Sequence, residues 1–148
     1  MGRPLPDLEP GEEVRAVAGA SFRGGLVATV KTTFAFGSSR VRQNAFDDWK
    51  EAVEKADFPT AGPESILAVT DRRLLVYFTT FWTERPKELG GEIDLDRIYQ
   101  VALKRHGFVL GIAFALITGD VVEFEAMRSI RLRRFAHAVQ RELAQRGR

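Results

Sequence analysis

The sequence predicts a mainly β domain carrying two helices, arranged as a small antiparallel barrel or sandwich, and three observations predict it. Residues 66–78, ILAVTDRRLLVYF, read as two apolar strands folded about a polar Thr70-Asp71-Arg72-Arg73 turn. Other short apolar runs follow at the close spacing of a barrel or sandwich, separated by Gly, Pro and Asp turns, with no βαβ alternation. Helical periodicity appears in only two stretches, about 43–57 and 128–146.

Residues 1–13 hold Pro4, Pro6 and Pro10 among acidic residues and read as an exposed lead-in to a single domain spanning 14–146. Residues 14–22 alternate Val14, Ala16, Ala18, Ala20 and Phe22 on one face, as a strand does. Residues 26–36, LVATVKTTFAF, are dense in β-branched and aromatic side chains and predict a second strand, which Gly37-Ser38-Ser39 ends. The period then changes. Phe46, Trp49 and Val53 recur at i, i+3 and i+7 opposite a charged face, predicting an inserted amphipathic helix over 43–57 with Asn44 as N-cap.

After Pro59, Gly62 and Pro63 comes the 66–78 hairpin, whose second strand is expected to run on toward Trp82. Gly90-Gly91 reads as a turn before a short strand over 92–95, Asp96-Arg97 as another, and residues 98–104 as a strand. Residues 108–117 and 121–125 flank Thr118-Gly119-Asp120 as a hairpin. In the first of these, Leu110, Ile112, Phe114 and Leu116 share one face, and Gly111, Ala113 and Ala115 share the other. The chain closes on Leu132, Phe135, Ala136, Val139 and Leu143, the apolar stripe of a terminal helix.

At 148 residues and 45% apolar, the chain is long enough to bury a core without covalent staples. It contains no cysteine, which excludes disulfides and thiolate chemistry. The longest apolar run, over 108–118, falls well short of the roughly 20 residues a spanning helix needs. The N-terminus has no apolar core of the secretory type, so a cytoplasmic location is expected, with peripheral membrane association as its extension. The net charge of +2 conceals an asymmetry, because residues 128–148 hold seven Arg and one Glu and the remainder is acidic.

Residues 68–77, AVTDRRLLVY, then GEIDLDRIYQV over 91–101, a strand, a Gly-Asp turn, VEFE and an amphipathic terminal helix resemble the bacterial PH-like and GRAM-like domains. The opening LEPGEEV over 8–14 resembles the start of such chains, and Thr70, Asp71, Arg73, Leu95 and Ile98 occupy motif positions. The resemblance covers residues 8–22 and 64–145 and implies a partly open barrel of about seven strands capped by the terminal helix, with the helix over 43–57 as an insertion. It implies a fold rather than an activity. Eukaryotic PH domains that bind phosphoinositides carry basic residues across the first hairpin; Arg23, Lys31, Arg40 and Arg42 do not reproduce that spacing.

No enzymatic constellation is legible. Ser38-Ser39 has no histidine partner in a known arrangement, Arg23-Gly24-Gly25 lacks the Gly-Lys-Ser/Thr of a phosphate loop, and His106 and His137 stand far apart without a third ligand. The expectation is therefore a non-catalytic binding module with no cofactor, metal or small-molecule substrate. A protein partner or a second copy is the first expectation. Its candidate interface is Phe46, Trp49 and Val53 with Gly111, Ala113 and Ala115, since aromatics make hot spots and an all-small apolar strand face needs a cover. The alternative is an anionic membrane, met by Arg128, Arg131, Arg133, Arg134 and Arg141; nucleic acid is less favoured. Arg72 and Arg73 are expected to serve the turn locally rather than an anion.

Overall fold

The computed structural model describes residues 5–24, 39–79, 85–127 and 130–147. The strand expected over 26–36, Trp82 at the end of the expected strand extension, and Arg128 lie outside these residues. Seven strands are described: β1 (Val14–Phe22), β2 (Glu64–Thr70), β3 (Arg73–Phe78), β4 (Leu89–Asp94), β5 (Ile98–His106), β6 (Val109–Leu116) and β7 (Val121–Met127). Helix α1 (Ser39–Lys55) is inserted after β1, and α2 (Ile130–Gln145) closes the chain. The fold class is thus the expected one, mainly β with a C-terminal amphipathic helix.

All pairings are antiparallel, in the order β4-β3-β2-β1-β7-β6-β5. Strand β1 joins two meanders unequally. It pairs with β2 from Val14↔Thr70 to Ser21↔Glu64, but with β7 only at Ser21↔Glu125 and Phe22↔Phe124. So short a seam lets the halves fold over one another, and a single core forms between them. Ala18, Leu67, Leu74 and Ile93 from one half meet Ile112, Phe114 and Phe124 from the other. The end strands β4 and β5 are not paired with each other, which leaves the barrel partly open. Helix α2 packs on β1 and β5 and closes the core there through Leu132, Phe135, Ala136, Val139 and Leu143.

Two local readings need correction, the cap of α1 and the Gly90-Gly91 turn. Helix α1 begins at Ser39, so Asn44 lies inside it rather than at its cap. The 39–43 segment holds no helix breaker, and the Gln43 amide donates to Asp47 Oδ1 at 2.9 Å across one turn. The helix stops before Pro59. Asp57 N–H donates to Glu54 O and Phe58 N–H to Val53 O, a Schellman closure with Asp57 in the left-handed region at φ 57°. Gly90 and Gly91 are not a turn but part of β4, where residues 59–61 cross over them.

From Leu5 onward the N-terminal lead-in is fixed to the sheet rather than simply exposed. Leu5 and Leu8 pack with Leu89 on a small cluster of Ile66, Ala68, Leu75 and Tyr77, which lies on the outer face of β2 and β3. The Tyr77 hydroxyl donates to Pro6 O at 2.7 Å, and Glu12 is buried.

Candidate functional site

The conspicuous arginines of the β2–β3 turn are committed inside the molecule. Arg73 Nε and Nη2 donate to the two Glu12 carboxylate oxygens at 2.9 and 2.8 Å, and Nη2 also donates to Asp7 O at 2.8 Å. Its Nη1 meets Glu92. Thr70 Oγ1 donates to Glu12 Oε2 at 2.7 Å, and the Glu12 side chain is wholly inaccessible. The Arg73 guanidinium holds the Glu12 carboxyl down to about 2. Arg72 Nη1 pairs with Glu9 at 3.0 Å. The role is structural, as expected, but it is not local to the turn: the principal partners of Arg73 and Arg72, Glu12 and Glu9, come from the lead-in.

The aromatic stripe of α1 is also committed internally. Phe46 packs edge-on to Phe22 with ring centroids 5.4 Å apart, and Trp49 edge-on to Phe124 at 5.1 Å. Trp49 Nε1 donates to Glu123 O at 2.9 Å, and Val53 belongs to the core. These contacts lie on the inner side of the sheet, because Phe124 is paired with Ile112 and shares its face.

Gly111, Ala113 and Ala115 occupy the opposite, outer side of β6, so the structure does not bring the two halves of the proposed interface together. Their cover comes from the strands on either side. Lys104 is paired with Gly111, Gly111 with Glu125 and Ala113 with Glu123. Lys104 Nζ reaches across β6 to Glu123 Oε1 at 2.9 Å, while Arg23 Nε lies 3.0 Å from Glu123 Oε2. The small residues leave room for long charged side chains, and Glu123 and Glu125 are buried there. An all-apolar strand therefore has a polar outer surface, supplied by its neighbours.

The terminal helix is different. Arg131, Arg133, Arg134 and Arg141 are exposed, and none forms an ion pair among the described residues. The helix carries one acid, Glu142, which is buried on the inner face and met by Arg15 at 3.4 Å. Helical geometry places Ile130, Arg134, His137 and Arg141 along one outward line, with Arg133 beside it. Arg146, past the helix end, is engaged instead with Asp96 and Asp71 O.

At the start of this face stands a feature not singled out in the sequence. Strands β5 and β6 are joined by the two-residue turn Gly107-Phe108, with Gly107 at φ 63°. Phe108 is 80% exposed and Ile130 70%, the two most exposed large apolar side chains among the described residues. They line a groove of about 470 Å³ with Val109 and Leu110, and Arg105 and Arg133 stand at it. The available signal was the Gly-Phe pair itself, since Gly-X is a composition of two-residue hairpin turns, whose central residues lie at the tip of the hairpin.

Among the described residues no cluster of three or more His, Asp or Glu side chains could hold a metal ion, and no helix is long and apolar enough to cross a membrane. Comparison with protein-family models and with curated proteins finds no match to this chain. Fold and site together define a mainly β module, an open seven-stranded antiparallel sheet with a C-terminal helix whose outer face is basic and, among the described residues, without ion-pair partners.

Proposed function

We propose that the chain is a PH-like module that works by binding rather than catalysis, and that it docks peripherally on anionic membranes through the outer face of α2. One observation carries this reading: the inner face of α2 is fully committed to the core, so the helix is held rigidly while Arg131, Arg133, Arg134 and Arg141 point outward without ion-pair partners among the described residues. Basic residues close to an acidic leaflet contribute about 1 kcal/mol each. The protein-partner reading drew on the aromatic stripe of α1 and the small-residue face of β6 together; Phe46, Trp49 and Val53 pack within the chain, which favours the membrane reading over it.

Vesicle co-sedimentation tests the proposal. Binding is expected to vesicles containing phosphatidylserine, to be weak on neutral phosphatidylcholine, and to fall as salt rises. Replacing Arg134 and Arg141 by Gln removes two charges and should lower partitioning about thirty-fold at low salt, as about 2 kcal/mol implies. Equal affinity for acidic and neutral vesicles, or no binding to either, overturns the reading.

A further inference from the structure

Building on the membrane reading, we propose that the β5–β6 turn and the first turn of α2 form its insertion point: Phe108 and Ile130 enter the interfacial layer of an acidic bilayer while Arg105 and Arg133 meet lipid phosphates. Two apolar side chains from different elements are exposed side by side on one groove. Neither is left out by loose structure. Phe108 sits on a turn closed by the His106↔Val109 pair, and β6 is in turn paired with β7 from Val109↔Met127 onward. Ile130 begins a helix whose next turn, through Leu132 and Phe135, is buried. The tip is therefore held in shape before it meets any partner, which lowers the ordering cost of binding.

The charge around the tip selects the partner. Arg105 and Arg133 are exposed, form no ion pair among the described residues, and adjoin the line of Arg134 and Arg141. A second copy docked through the same face would bring the same cations against these, which repel. A nucleic acid would satisfy the guanidinium groups and offer no apolar medium to Ile130. An acidic bilayer supplies both requirements at the depths where they are needed, phosphate at the headgroup level and hydrocarbon just beneath, which is how interfacial apolar groups flanked by basic ones bind. Arginine suits this position because its guanidinium grips phosphate in bidentate fashion.

The chain contains no cysteine, so a single probe can be placed. Phe108→Cys is labelled with an environment-sensitive fluorophore, and Tyr99→Cys serves as control. Tyr99 is exposed near the other end of β5, roughly 20 Å away at the rise of a strand. With phosphatidylserine vesicles the label at 108 should shift to the blue and be quenched by spin-labelled acyl chains, while the label at 99 does neither. Unlabelled Phe108→Ser/Ile130→Ser should keep the parent circular dichroism and lose at least about tenfold in partitioning, most visibly at raised salt where the apolar share remains. Protein that sediments with acidic vesicles while the label at 108 stays in water overturns the insertion point and leaves the membrane reading standing. An unchanged partition of the double serine variant overturns it equally. Failure of the parent protein to sediment with acidic vesicles overturns both.

Discussion

Glu12 and Arg73 show how a residue that looks like turn chemistry is fixed by a distant partner. Their hydrogen bonds join positions 61 residues apart, so the spacing of the turn did not disclose them. Removing one partner of a buried pair strands the other, and Glu12→Gln should destabilise the fold by about 3 kcal/mol, read from denaturant midpoints. Arg72, exposed and paired with exposed Glu9, should cost well under about 1 kcal/mol on replacement by Ala. The same pair sets an acid limit. Because the folded carboxyl is lowered from 4.5 to about 2, its stabilisation is complete above pH 4.5 and is lost as pH falls from there toward 2. Tyr77 sets an alkaline one: burial raises its hydroxyl from 10.0 to about 12, so its contribution is complete below pH 10 and is lost as pH rises toward 12. Stability measured against pH should fall in both windows, and in Glu12→Gln the acid slope should flatten while the alkaline one persists.

At the scale of elements, periodicity located α1 and α2 because a helix that buries one face must repeat apolar residues near every 3.6 positions. The boundaries of α1 followed different physics. Its start lies upstream of the apolar stripe, and its end is a left-handed aspartate rather than the prolines beyond. Gly90-Gly91 was ambiguous for a similar reason, since glycine serves both turns and close backbone approach. Here approach is what matters. A Cβ at Gly90 would stand 2.5 Å from Thr60 O and 2.9 Å from Ala61 Cβ, whereas one at Gly19, also within a strand, would find its nearest neighbour, Ile66 Cδ1, at 3.8 Å. Gly90→Ala should therefore destabilise the fold by about 2 kcal/mol, and Gly19→Ala should be neutral or slightly stabilising, as thermal or chemical unfolding will read.

For the whole molecule, the distribution of charge matters more than its sum. Arg73 ties the lead-in to the first meander, Lys104 bridges β5 to β7 within the second, and Arg23, just past β1, reaches Glu123 on β7. The cations without ion-pair partners among the described residues include Arg105 and Arg133, which stand at the groove where Phe108 and Ile130 are left in water, and Arg131, Arg134 and Arg141 further along α2. A molecule polarised in this way meets an oppositely charged surface in a preferred orientation. In the vesicle experiments, charge removal at Arg134 and Arg141 should therefore change salt sensitivity, and apolar removal at Phe108 and Ile130 should change the binding that survives salt.

The sequence by itself determined the mainly β class, the hairpin at 66–78, the two amphipathic helices and the basic bias of the chain's end, because period and composition are local properties. Only the tertiary structure decided what covers what. Phe46, Trp49 and Val53 went to the inner face, and Gly111, Ala113 and Ala115 were roofed by lysine and glutamates from neighbouring strands. Phe108, which opens an apolar run in the sequence, was left outside by a two-residue turn. A one-dimensional pattern says that a face is apolar. Which element lies against that face depends on strand register and on contacts between residues far apart in the chain, and those are fixed only when the two meanders close on their common core.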